Sequence, residues 1–312
     1  MLVSQPLDTP NIPNTYRGRF APSPTGPLHF GSLVSAIASY LEARHHHGRW
    51  LVRIEDLDPP REQPGAAEAI ISTLEAHGLV SDEAVLYQSE RYEIYNKALS
   101  ILEHQGATYP CTCTRPRLKS LGNVYDGHCA IHPPQDNEPA AIRLSVQQAD
   151  AFLLFNDTIQ GEQSQPLKHD GDFIIHRKDG LYAYQLAVVV DDIAQNITHV
   201  LRGSDLLPTT ARQWWVYQHL SANAPLFGHL PVVTNPLGQK LSKQNKAPAI
   251  DSNQASLNWW HALTFLGQAP QENLKQSPLT EIMTWAKQHW RTERIPQQLG
   301  LGYTGIATLQ SN

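Results

Sequence analysis

The sequence predicts an α/β fold: a doubly wound parallel sheet, interrupted by an insertion and followed by a short helical region. Short apolar runs alternate with segments of helical period in the order strand, turn, helix, strand. A parallel sheet requires that order, because its neighbouring strands are joined by crossover connections. The pattern breaks off at about residue 108, where short strands and polar loops surround Cys111, Cys113 and Cys129, and it returns after residue 170. The 312 residues are 41% hydrophobic and 17% charged, an ordinary globular balance that suits one domain with an insertion or two modest domains.

Residues 1–15 are polar, contain three prolines and lack a basic stretch leading into an apolar one. They read as a loosely ordered extension and not as a secretory signal. Residues 16–107 make the first half of the sheet domain. Residues 17–20 read as a strand, and Pro22, Pro24 and Pro27 stiffen the following turn by fixing φ. Residues 32–47 carry Leu33, Ile37, Tyr40 and Leu41 at helical spacing, with Gly48 as a stop. Residues 50–54 have the length and composition of a buried strand. Helices are expected over 64–77, opened by Pro64, and over 89–105, with Ser89 as N-cap. Residues 108–170 form the insertion. The second half, 171–250, carries a helix over 184–193, a strand over 199–202, a helix over 208–220 and a strand over 229–234. Residues 251–312 carry two helical patterns, 254–266 and 278–290.

A net charge of −5 argues against a surface that coats nucleic acid as a whole; an RNA partner would need a local basic patch. No apolar run reaches the roughly 18 residues of a membrane-spanning helix. The odd cysteine count argues against a disulfide framework and points to a reducing compartment. Crowding of the three thiols suggests a metal site.

Three segments carry candidate chemistry. The first is Arg19-Phe20-Ala21-Pro22-Ser23-Pro24-Thr25-Gly26-Pro27-Leu28-His29-Phe30-Gly31-Ser32. Gly26 and Gly31 remove side chains where a backbone must bend or approach a ligand closely. His29 precedes a helix N-terminus, whose unpaired N–H groups suit a phosphate, and an imidazole there can donate to a phosphate oxygen as charge builds. By spacing alone this is an ordinary strand-to-helix turn with a capping histidine. The second segment is Lys240-Leu241-Ser242-Lys243-Gln244-Asn245. Two lysines three apart on a loop can neutralise a triphosphate, although such a loop alone is a charged surface feature. The third is Arg53-Ile54-Glu55-Asp56-Leu57-Asp58, acids at the carboxyl end of a parallel strand, where α/β proteins bind ligands. Glu55 suits an ammonium group. Asp56 and Asp58 read as capping or solvated acids.

Together these segments resemble the class I glutamyl-tRNA synthetases and their relatives. His29-Phe30-Gly31-Ser32 stands where that class has its "HIGH" signature, with Ser32 replacing the second histidine. Lys243 aligns with the second lysine of the "KMSKS" loop, and Gln244 replaces its final serine. The resemblance implies a Rossmann-like catalytic domain. It implies catalytic roles for His29 and Lys243, and ATP contacts from His29, Gly31, Lys240 and Lys243. Arg19 and Ser23 would hold the carboxylates of glutamate, since a guanidinium matches a carboxylate through two parallel bonds, and Glu55 would hold its amine. The segment 182–192 resembles the helix that supplies a pocket tyrosine, here Tyr184. The segment 199–205 resembles the one that supplies a second arginine, here Arg202. Asp191 and Asp192, adjacent on that helix, point in different directions and read as capping or surface acids.

Cys111, Cys113 and Cys129 supply three thiolates, and a fourth ligand would close a tetrahedral zinc site. General ligand chemistry offers His128 and His132. The arrangement around Tyr125 and Cys129 resembles the zinc insertion of a narrower group, the glutamyl-queuosine tRNA(Asp) synthetases, and that resemblance implies Tyr125 as fourth ligand of a structural Zn2+. Segments 172–177, 179–184 and 240–245 fit the same group. Lys243 is followed only by residues 244–312, fewer than the roughly 100–150 of a typical domain, so no anticodon-binding domain is expected. The resemblance implies a ligase, and the chain is expected to be a cytoplasmic monomer with no membrane association. It would activate L-glutamate with ATP and Mg2+ and transfer it to queuosine in the anticodon of tRNA(Asp). A shortened glutamyl-tRNA synthetase charging a tRNA 3′ end is one alternative; a catalytically silent nucleotide- or RNA-binding paralogue is another.

Overall fold

The computed structural model describes residues 15–122, 124–135, 138–235, 238–241 and 248–305. Most of the expected N-terminal extension, and Lys243, lie outside the described residues. The first half of the chain runs β1 (Arg17–Phe20), α1 (Phe30–His45), β2 (Arg49–Ile54), α2 (Ala66–Ala76), β3 (Leu86–Tyr87) and α3 (Tyr92–His104). Then come β4 (Thr108–Cys111), α4 (Arg115–Ser120), α5 (His128–Ile131), β5 (Ala141–Leu144), β6 (Leu153–Asp157), β7 (Gly161–Gln165), α6 (Leu167–Asp170) and β8 (Phe173–His176). The chain closes with α7 (Tyr184–Ala194), β9 (His199–Gly203), α8 (Thr210–His219), β10 (Leu226–Leu230), β11 (Val232–Thr234), α9 (Ala255–Phe265), α10 (Leu279–His289) and β12 (Gly300–Gly302).

Five strands form one parallel sheet in the order β10-β9-β1-β2-β3. The chain winds outward from β1 to β3, then returns to the other side of β1 to add β9 and β10. That reversal opens a crevice at the carboxyl ends of β1 and β9, the usual ligand position in such sheets. The alternation of β2 shows how both faces are covered. Trp50, Val52 and Ile54 join the apolar cluster under α1, α9 and α10, whereas Leu51 joins the cluster under α3, α7 and α8. Arg53 shares the second face and is fully buried there, so its charge needs partners from the helices above it.

The insertion has its own antiparallel sheet, β4-β5-β8, and the hairpin β6–β7. Its sheet runs past residue 170 to His176, because β8 pairs with β5.

Several local expectations change. The helix expected from Ser89 begins at Tyr92; Ser89 sits in a 3-10 turn, and its N–H and hydroxyl both donate to Asp56, at 2.9 and 2.6 Å. The helix expected from Pro64 begins at Ala66, after Gly65 adopts a left-handed φ of 77°. The helix expected from Pro208 begins at Thr210, because residues 204–209 form a 3-10 turn around that proline. The strand expected over 229–234 is divided at Pro231, which lacks an N–H for the ladder. Its second part, β11, pairs with β12, so the C-terminal region is not purely helical. Among the described residues no helix is long and apolar enough to cross a membrane.

Candidate active site

A cavity of about 400 Å³ opens at the carboxyl ends of β1, β2 and β9. Arg19 and Ser23 reach it from β1 and the proline-rich turn, and His29 and Gly31 from the start of α1. Glu55 enters from the end of β2, Tyr184 from the first position of α7, Arg202 from β9 and Lys240 from the segment after β11. The predicted substrate and ATP residues that fall within the described chain therefore line one cavity. The turn is held by main-chain bonds to the segment that follows β2: the Glu55 N–H donates to Pro22 O at 3.0 Å, and Gln63 N–H to Pro24 O at 3.0 Å.

A buried cluster of charge stands behind Arg19 and Glu55. Asp192 of α7 receives both Nε and Nη2 of Arg19, at 3.2 and 3.4 Å, and lies 2.8 Å from Nη2 of Arg53. Asp191 accepts from Gln88 at 2.7 Å, Arg91 at 2.5 Å and the Tyr95 hydroxyl at 2.7 Å. Both acids are buried, which overturns their expected capping or surface role: adjacent positions do diverge, but each meets a separate set of partners inside the protein. Burial alone would raise the Asp192 carboxyl, yet Arg19 and Arg53 outweigh it and hold its pKa below the ordinary value. Glu55 differs. Its side chain is 8% exposed, Arg53 Nη2 stands 3.7 Å away, and its Oε1 accepts no hydrogen bond among the described residues. Burial raises its pKa to about 7, against the pull of Arg53 and Arg19.

His29 caps α1. Its Nδ1 accepts from the Ser32 N–H at 3.3 Å, and its Nε2 lies 3.2 Å from the Ser32 hydroxyl. A backbone N–H only donates, so Nδ1 is the unprotonated nitrogen and Nε2 carries the proton of the neutral ring. A Cβ added at Gly31 would stand 3.2 and 3.3 Å from the His29 ring, tighter than ordinary contact. Glycine there lets the imidazole lie across the helix end.

Arg202 is buried and held by neutral acceptors: His229 Nε2 at 2.9 Å, Gln213 Oε1 at 2.7 Å and Thr210 Oγ1 at 2.9 Å. Its guanidinium lies 4.9 Å from the Phe227 ring centre. Lys240, at the cavity mouth, pairs with Asp205 at 2.6 Å.

The cysteines converge away from this cavity. One ligand atom from each of Cys111, Cys113 and Cys129 lies within 4.8 Å of the others. The Tyr125 hydroxyl stands 3.5 Å from Cys111 Sγ and 3.7 Å from Cys113 Sγ, and it accepts the Cys129 N–H at 2.8 Å. Arg143 adds positive charge, with Nε 3.1 Å from Cys111 Sγ and its guanidinium 3.8 Å from the Tyr125 ring centre. Three soft thiols and a phenol beside a cation fit a divalent, thiophilic metal. His128 and His132 are exposed and lie against each other, with ring centres 5.0 Å apart, outside the group of convergent metal-ligand side chains.

Residues 15–262 match the family "tRNA synthetases class I (E and Q), catalytic domain". The Glutamyl-Q tRNA(Asp) synthetase of Serratia proteamaculans is 49% identical over 284 residues, 91% of this chain and 93% of the relative. That of Thiobacillus denitrificans is 50% identical over 286 residues, 89% and 94% of the two chains. The chain belongs to the glutamyl-Q tRNA(Asp) synthetase family. The crystal structure of glutamate-tRNA synthetase from Elizabethkingia anophelis superposes with a TM-score of 0.79 at 26% identity, over 94% of this chain and 68% of that one.

In this member of the glutamyl-Q tRNA(Asp) synthetase family, sequence reasoning missed the polar groups that support the cavity wall: Arg53, Asp191, Asp192 and His229. A signal for the first three was present. Arg53 stands inside an apolar strand and the two aspartates inside an apolar helical run, and a charge in such a place must be paired to be buried. His229 carried no comparable signal.

Proposed function

We propose that this chain activates L-glutamate with ATP and transfers the glutamyl group to queuosine in the anticodon of tRNA(Asp), a reading supported by its likeness to proteins named glutamyl-Q tRNA(Asp) synthetase. The observation that carries the amino-acid part is the pairing of opposites across one cavity. Glu55 offers a buried carboxylate oxygen that meets no hydrogen-bond donor among the described residues, and the Arg19 and Arg202 guanidiniums stand on the same lining. A ligand with one ammonium and two carboxylates satisfies all three. Ser23 and Tyr184 add hydroxyls to this lining.

In the first step an oxygen of the substrate α-carboxylate attacks the α-phosphorus of ATP, forming the acyl phosphate bond, and pyrophosphate leaves. His29 Nε2–H donates to a phosphate oxygen at the N-terminus of α1, whose open N–H groups face the same charge, and Gly31 lets the phosphates approach the backbone. Lys240 and Lys243 neutralise the leaving pyrophosphate, and Mg2+ would arrive on the triphosphate. In the second step a hydroxyl of the queuosine ring attacks the glutamyl carbonyl, loses its proton and releases AMP. Positioning and electrostatics supply most of the rate, since the substrate brings its own nucleophile. Cys111, Cys113, Cys129 and Tyr125 would hold Zn2+, which would supply a cross-link to a part of the insertion with little apolar core. A reducing cytoplasm would keep those thiols available.

Glutamate-dependent exchange of labelled pyrophosphate into ATP tests the first step. The reading expects exchange with glutamate, little with glutamine, and a loss on the order of a hundredfold in His29→Ala. Absence of glutamate-dependent exchange would leave a silent nucleotide- or RNA-binding protein.

A further inference from the structure

Arg202 is held in place by a buried relay that begins in the insertion. Its neighbour in the sheet register is His229 of β10, so the two side chains share a face of adjacent strands. The Arg202 Nε–H can only donate, and it meets His229 Nε2 at 2.9 Å. That nitrogen must therefore be unprotonated, and the ring proton sits on Nδ1, 2.5 Å from Asp157 Oδ2. Asp157 is itself fixed, because its Oδ1 accepts the N–H groups of His229, Ile159 and Gln160 at 3.0, 3.0 and 2.9 Å. Both His229 and Asp157 are 0% exposed at the side chain. Asp157 ends β6, and the turn after it lies directly on β10: Thr158 N–H donates to Phe227 O at 2.8 Å, and a Cβ at Gly228 would fall 2.3 Å from Thr158 Oγ1.

We propose that Asp157 and His229 are positioning residues that set the orientation of the Arg202 guanidinium for the substrate carboxylate, making the hairpin β6–β7 part of the amino-acid site. An arginine side chain has many rotamers, and a neutral histidine aligned by a carboxylate selects the one whose Nε is tied back into the sheet. The opposite tautomer of His229 would set N–H against N–H, and Asp157 excludes it. The proposal rests on Arg202 being a glutamate contact.

Two amides separate positioning from mere docking of the hairpin. In His229→Asn the short amide can replace Nδ1–H toward Asp157 but offers Arg202 no acceptor. In His229→Gln the longer amide can place its oxygen where Nε2 stood. KM for glutamate, KM for ATP and kcat are measured by pyrophosphate exchange, with thermal midpoints recorded alongside. The proposal expects His229→Asn to raise KM for glutamate about tenfold to a hundredfold with KM for ATP unchanged, and His229→Gln to restore most of it. Asp157→Asn, nearly the same shape, should raise KM for glutamate in the same way should His229→Asn prove too unstable. Equal loss in both histidine variants, or preservation by Asn and loss by Gln, overturns the proposal in favour of a docking role. Arg202→Gln serves as the reference: if it leaves KM for glutamate unchanged, the assignment of Arg202 to glutamate fails, and the positioning role with it.

Discussion

Glu55 is the residue whose chemistry depends most directly on its surroundings. Burial lifts its carboxyl to about 7, while the ammonium it is proposed to receive requires the ionised form. Glutamate binding should therefore be full above that pH and weaken as pH falls through it, so KM for glutamate should climb on the acid side. Glu55→Gln should raise KM for glutamate roughly tenfold to a hundredfold, the range of a lost charged hydrogen bond, and should flatten this pH dependence. An unchanged acid limb in that variant would remove Glu55 from the amine site. Gly31→Ala tests the neighbouring histidine. The new methyl would press on the His29 ring at 3.2 Å and turn it, so kcat for exchange should fall while KM for glutamate holds. Parallel changes in both would mean that the glycine serves the fold more than the phosphate.

At the scale of elements, α7 and the metal-ligand knob carry separate predictions. Through Asp192, α7 closes the charge of both Arg19 and Arg53, residues of strands far away in the chain. Replacing it with Asn leaves two buried guanidiniums short of a counter-charge and should cost about 3–5 kcal/mol, read as a lowered denaturation midpoint. The sign with pH follows from its depressed pKa: the stabilisation is present above the ordinary carboxylate value and is lost as pH falls through the lower folded value. The acid-unfolding profile of Asp192→Asn should therefore be shallower than that of the parent. In the insertion, metal analysis of the purified protein should find about one zinc per chain, and Cys111→Ser should release it and expose residues 112–131 to protease. Zinc-free protein with an intact insertion would remove the metal from the account.

Across the whole molecule, the parts legible in the sequence are those written in local chemistry. The turn before α1 announced itself through closely spaced prolines, a glycine and a histidine, and the order of strands and helices followed from periodicity. What was not legible depends on partners distant in sequence. Asp192 is 173 positions from Arg19, so a helical wheel could not say that both adjacent acids lay inside. Asp157 is 72 positions from His229, and neither residue type signals a pair. The strand Gly300–Gly302 has one side chain, Leu301, to carry an alternating pattern, and its pairing beside β11 is a long-range contact that no local period announces. The substrate on the RNA side was legible only through the family resemblance, because no single residue of the sequence announces a modified base in the way Glu55, Arg19 and Arg202 announce an amino acid. Transfer of labelled glutamate to tRNA(Asp), with and without queuosine, tests it most directly. The account predicts label only on the queuosine-containing tRNA, retained after the 3′-terminal adenosine is removed; label that depends on that adenosine, or that appears without queuosine, would contradict it.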